Sequence, residues 1–164
     1  MTSMEMKRSL RADSVVMKQF ENVAIQCWEH AAESRLGRKP PFICLKAGPE
    51  ACGVMLMLLD ELGGLRPPAQ RALTLKPSDR PNAFSRIRFV ISHVSDRLTE
   101  MSLTCDSETA VFEFTPAGLM RLREAVVLWR NGGEDFSVHP SKCCAGTKDG
   151  QSGEVWFWTP FTDP

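Results

Sequence analysis

The chain has no tyrosine, no net charge and no long apolar run, and each absence removes a class of function. The longest uninterrupted apolar run, Val54–Leu59, has six residues, far short of the roughly 18 a membrane-spanning helix needs. Twenty Lys and Arg balance twenty Asp and Glu, so no global field draws the protein to nucleic acid or to an anionic membrane. Without tyrosine, and with its basic residues not interleaved with Phe and Trp, the chain lacks the pattern of a platform that stacks single-stranded nucleic acid. No nucleic-acid or membrane partner is therefore expected.

Catalytic and cofactor signatures are also missing. Gly48-Pro-Glu-Ala-Cys-Gly53 has neither the lysine of a phosphate loop nor the glycine spacing of a dinucleotide site. No Gly-x-Ser-x-Gly elbow and no Cys-x2-Cys pair occurs. No cofactor is expected. The first residues, Met-Thr-Ser-Met-Glu-Met-Lys-Arg, lack the apolar core and cleavage site of a signal peptide, which points to the cytoplasm. Cytosolic thiols stay reduced, so the six cysteines read as free thiols rather than three disulfides.

What is present is an ordinary globular composition, 43% hydrophobic and 24% charged over 164 residues. A chain of that length buries roughly 70% of its unfolded surface in one domain. Residues 1–12 carry three methionines among polar residues without a period and read as a flexible tail. Residues 13–164 read as a single α+β domain. From Asp13 or Ser14 a helical stripe runs through Val16, Phe20, Val23 and Cys27, with Met17, Ala24, Trp28 and Ala31 beside it. Gly37 and Pro40-Pro41 would stop that helix.

Phe42–Lys46 suits a short strand. Pro49 and Glu50 then open a second helix that Gly63-Gly64 end. Its middle, Val54–Leu59, is apolar all round, which predicts deep burial, with a buried strand as the competing reading. Pro67-Pro68 and Lys76–Asn82 are turn-rich, and Arg71–Lys76 between them suits an edge strand. A meander of three strands follows: Ile87, Phe89 and Ile91; Met101, Leu103 and Cys105; Ala110, Phe112 and Phe114. Turns are placed at Ser95-Asp96 and Asp106-Ser107.

The clearest unit is Ala110–Asn131. Thr115 caps a third helix, Pro116 takes its first position, and Leu119, Leu122, Ala125, Val126 and Trp129 form its apolar stripe, flanked by Met120 and Val127. Strands over Asp135–His139 and Glu154–Thr159 follow, joined by a polar loop. The expected architecture is a mostly antiparallel sheet of five or six strands packed by about three helices. The Phe114-Thr-Pro-Ala-Gly-Leu119 turn and its helix give Thr109–Pro160 a loose resemblance to small bacterial immunity-type α+β domains, a likeness that implies a protein partner.

Four groups carry candidate chemistry. His139, Cys143 and Cys144 have the donor types for zinc, joined by Cys44 or Cys52 if these meet in space; vicinal cysteines seldom both reach one ion without strain, and two loop thiols with a histidine at a strand end account for them better. Cys27 and His30, three apart beside Glu29, could form an activated thiol, but Cys27 lies on the apolar stripe, where cysteine acts as a small hydrophobe. His93-Val-Ser95-Asp96 holds the residue types of a serine triad, yet triad members come from separate elements, and a turn explains it better. Finally, Trp156 and Trp158 would share one face of the last strand and Val155 and Phe157 the other, with Phe161 beyond. Such a strand is either buried on both sides or a contact surface.

Three readings of function follow: a non-catalytic cytoplasmic module binding another protein through a sheet edge or through Trp156, Trp158 and Phe161; a cysteine-dependent enzyme or redox protein; and a small-ligand or zinc binder. The first is preferred.

Overall fold

The computed structural model describes residues 20–30, 33–34, 37–38, 42–92, 101–131, 136–138, 142–143 and 155–158. The strands are β1 (Ile25–His30), β2 (Glu33–Ser34), β3 (Gly37–Arg38), β4 (Phe42–Ala47), β5 (Ala69–Thr74), β6 (Arg86–Ile91), β7 (Met101–Cys105), β8 (Thr109–Phe114), β9 (Phe136–Val138), β10 (Lys142–Cys143) and β11 (Val155–Trp158). Among the described residues there are two helices, α1 (Pro49–Gly63) and α2 (Pro116–Asn131). The protein is α+β, but its strands form a four-stranded sheet in the order β1-β4-β11-β9, a five-stranded sheet in the order β10-β7-β8-β6-β5, and the β2-β3 ribbon. Both larger sheets are mixed: β11 runs parallel to β4, β6 to β8 and β10 to β7. This replaces the expected antiparallel sheet with three helices.

The expected N-terminal helix is corrected by β1. Val23, Ile25 and Cys27 are buried while Ala24 and Gln26 between them are exposed, a period of two. Val23 and Cys27 are four apart and so satisfy a helical stripe and a strand face equally. Ile25 decides between them. On a helix it would lie about 200° from Val23, yet it is 1% exposed and its β-branched side chain fits a pleated surface. The part of that expected helix before residue 20, and the tail over residues 1–12, lie outside the described residues.

The meander is corrected as well. β8 lies between β6 and β7, antiparallel to β7 and parallel to β6. The register sets Ile87, Phe89 and Ile91 beside Ala110, Phe112 and Phe114. Phe89 stacks on Phe112 at 5.5 Å between centroids and lies 6.3 Å from Phe114. Alternation tells which face of a strand is apolar but not which strand is its neighbour. Placing β6 beside β8 lets Phe89 meet both phenylalanines of β8 in the core. The predicted edge strand is confirmed, shifted to Ala69–Thr74, and β5 does lie at the sheet's edge. The loop expected between the last two strands contains β10.

The helices form where their caps place them. Pro49 begins α1, and the Cys52 N–H donates to the Gly48 carbonyl at 3.1 Å. At the start of α2 the Gly118 N–H donates to the Thr115 hydroxyl at 3.2 Å and the Leu119 N–H to the Thr115 carbonyl at 2.9 Å. The helices pack side by side and antiparallel. Asp60 pairs with Arg123 at 2.6 Å, a Cβ on Gly63 would meet Leu119 at 3.3 Å, and the Arg130 guanidinium lies over Gly53. One buried cluster joins both helices to the inner faces of both larger sheets. Main-chain bonds stitch the sheets together: the Val23 N–H donates to the Thr74 carbonyl (2.9 Å), Lys76 N–H to Val23 (2.9 Å) and Phe84 N–H to Cys27 (2.8 Å).

Candidate functional site

β11 is an interior strand. Its backbone pairs with β4 on one side and β9 on the other, so it offers no edge to a partner strand. Val155 and Phe157 are buried, and Trp129 of α2 meets Phe157 edge-on at 5.1 Å between centroids. Trp156 and Trp158 align in register with Cys44 and Lys46; their side chains, and Phe161, lie outside the described residues.

The sheet edges are partly covered. Along β5 the Thr74 N–H donates to the Phe20 carbonyl at 2.8 Å. At the other end the Arg71 guanidinium donates to the Gln70 carbonyl at 2.9 Å and holds Glu61 at 3.0 Å. Along β1 the Glu29 N–H donates to the Asn82 carbonyl at 3.2 Å, and Trp28 is covered by Arg80, whose guanidinium lies 4.0 Å above its ring and whose Nε donates to Gln26 Oε1 at 2.9 Å. Covered edges are poor templates for an added strand.

The described thiols are unsuited to nucleophilic chemistry. Cys27, Cys44 and Cys52 are buried and not disulfide-bonded. Burial pushes the Cys27 thiol far up, and neighbouring Cys44 adds to the effect. Burial pushes Cys52 up to about 11, against the pull of the Arg130 charge. Cys27 and Cys52 stay protonated at neutral pH, whereas the thiolate is the reactive form. On a strand, Cys27 and His30 are an odd number of residues apart, so the helical face that would have brought them together does not exist. Cys105 departs from the expectation of free thiols: it is disulfide-bonded.

For the metal reading, Cys143 sits in β10 of the five-stranded sheet and Cys44 in β4 of the four-stranded sheet. Cys52 lies on α1. His139 and Cys144 lie outside the described residues, as do His93, Ser95 and Asp96. Among the described residues no group of three or more His, Cys, Asp or Glu side chains could hold a metal ion. Nor is any described helix long and apolar enough to cross a membrane.

The structure adds a surface that the sequence did not single out. The large apolar side chains exposed among the described residues are Met57 at 50%, Met120 at 66% and Leu128 at 65%, all on the helical layer. Val54–Leu59 is thus not buried all round, because Met57 turns outward, and Met120 is not part of the buried flank. The signal was present in the helical period. At about 100° per residue, Leu128 lies about 120° from Leu122, away from the buried stripe. Exposed Arg121, Arg123 and Arg130 and a single Glu124 surround the α2 pair.

Comparison with known protein families, with curated proteins and with solved structures finds no match to this chain.

Proposed function

We propose that the chain is a non-catalytic, cytoplasmic protein-binding module that meets its partner through the outer surface of its two helices. The observation that carries this reading is the exposure of Met57, Met120 and Leu128 on one packed helix pair. Exposed apolar side chains with a polar rim mark contact surfaces, and methionine adapts its shape to what it meets. The excess of arginine on the exposed part of α2 suits a partner whose apolar anchor is flanked by acidic residues. Trp156, Trp158 and Phe161 remain candidate contacts of the same module, acting through side chains because the β11 backbone is already paired. The burial of Cys27, Cys44 and Cys52, with the Cys27 and Cys52 thiols pushed up by it, gives the cysteine-enzyme reading no support among these thiols.

The test is affinity capture with in-cell crosslinking, using wild type, a Met120→Lys/Leu128→Lys double variant and a Trp156→Ala variant. The double variant should keep its melting temperature, since both positions are exposed, and lose the partner that wild type captures. Retention of that partner by the double variant would sink the helical surface. Loss confined to a folded Trp156→Ala protein would move the contact to the C-terminal strand.

A further inference from the structure

The two surface helices carry opposite charge. α1 holds Glu50, Asp60 and Glu61 and no basic residue, whereas α2 holds Arg121, Arg123 and Arg130 against one acid, Glu124. Asp60 meets Arg123 and Glu61 meets Arg71, but all four side chains keep 30% or more of their surface open to solvent, so their charges are still felt from outside. Met57 is exposed on the acidic helix, and Met120 and Leu128 are exposed on the basic one. A patch with an acidic half, a basic half and apolar side chains in both is complementary to itself. We infer that this surface binds a second copy of the chain across a two-fold axis parallel to the helices, so that each α1 lies over the other copy's α2. The inference rests on the helical-surface reading above and names its partner.

The geometry of one protomer selects that axis. Asp60 beside Arg123, Gly63 beside Leu119 and Gly53 beside Arg130 fix the relative heights of the two antiparallel helices. On that scale Met57 is level with Val126, between Met120 and Leu128. Rotation about an axis along the helices keeps every height. It therefore brings Met57 of the second copy into the interval between Met120 and Leu128, about 12 Å long. The same rotation sets Glu61 of the second copy within a turn of Arg121, and its Glu50 within a turn of Arg130. Facing helices run antiparallel, as in an up-down four-helix bundle. A two-fold axis lying across the helices would instead stack acid on acid and arginine on arginine, which electrostatic complementarity disfavours. The chain's zero net charge leaves no overall repulsion between copies. Helices of 15 and 16 residues offer a patch of about 22 by 20 Å, so the dimer buries about 900 Å² in total and belongs with weak, micromolar contacts.

Full-length protein should be followed by sedimentation velocity from about 1 to 200 µM, where wild type should pass from monomer to dimer. Met57→Lys and Leu128→Lys should each keep the melting temperature, since both positions are exposed, and weaken dimerisation about tenfold. A charge swap tests the axis. Glu50→Lys/Glu61→Lys protein and Arg121→Glu/Arg130→Glu protein should each self-associate about tenfold more weakly than wild type. Their equimolar mixture should form a heterodimer as readily as wild type forms its homodimer, because opposite charges then face each other in both halves of the interface. Wild type that stays monomeric across the range overturns the inference. So does a dimer indifferent to lysine at positions 57 and 128, or a pair of folded charge variants that fail to restore association when mixed. A chain that is monomeric throughout, yet captures a different protein and loses it in the Met120→Lys/Leu128→Lys variant, would remove the second copy and leave the helical binding surface standing.

Discussion

The β8–α2 unit and strand β1 both deliver a large aromatic to a buried position, Trp129 in one and Trp28 in the other, but they are held by different kinds of interaction. β8 leads directly into α2, and the junction is closed within five residues by Thr115, whose hydroxyl and carbonyl receive the N–H groups of Gly118 and Leu119. β1 has no such local device. Its backbone pairs with β4, its outer edge with residues 82–84, and Trp28 is covered by Arg80, more than fifty residues away in sequence. A segment stabilised by its neighbours in sequence announces its structure. One stabilised by distant partners takes the structure those partners impose.

The largest effects should come from the aromatic and aliphatic anchors of the two regions. Trp129→Ala removes the ring that meets Phe157 edge-on and should cost about 3–5 kcal/mol. Ile25→Ala should cost about 2–5 kcal/mol, because Ile25 faces the core of a sheet. On a helix with the Val16–Cys27 stripe it would face away and its truncation would cost little. Urea titration of the two variants thus tests the comparison directly, and a near-neutral Ile25→Ala would restore the helical reading of that segment.

The same contrast explains what could be read from the sequence. Both helices were legible because proline and a cap or paired glycines sit at their ends: Pro49 and Gly63-Gly64, Thr115 and Pro116. The strands around Phe89, Leu103 and Phe112 were legible because period two is unambiguous there. Strand order was not, since nothing in the alternation of Ile87–Ile91 says that β8 rather than β7 lies beside it. Val23 and Cys27 misled because their spacing of four fits both periods. The candidate surface was hidden for a related reason. Met57 sits inside a continuous apolar run, and only the packing of α1 on α2 shows which member of that run is left outside.

Two smaller substitutions sharpen the distinction between local and imposed structure. Thr115→Ala deletes a helix cap and should cost about 1 kcal/mol, read as a lower urea midpoint. Asn82 has a positive φ of 57° and immediately precedes Ala83, whose bridge to Trp28 helps hold β1. Asn82→Ala should cost about 1–2 kcal/mol because the left-handed region penalises a Cβ without a local hydrogen bond, while Asn82→Gly should be close to neutral. If alanine and glycine behave alike, the turn is not what positions the strand edge.

The smallest expected effect concerns the β7–β8 hairpin, where a local device resembles the cap at Thr115. Asp106 Oδ1 accepts the N–H groups of Glu108 at 2.8 Å and Thr109 at 2.7 Å. The Glu108 bond first and the Thr109 bond second hold its carboxyl below the ordinary carboxylate range, with Arg88 and Arg86 adding a smaller pull. A carboxylate with a depressed folded pKa stabilises the fold above its unfolded pKa, and the contribution is lost as pH falls through the folded value. Wild type should therefore lose slightly more stability between pH 6 and pH 3 than Asp106→Ala, and urea midpoints at the two pH values measure the difference. Because the group is fully exposed, solvent screens its interaction with the arginines, and the backbone bonds should dominate. Added salt should then leave the difference between the two proteins nearly unchanged, whereas an effect that vanished in salt would assign it to Arg86 and Arg88 instead.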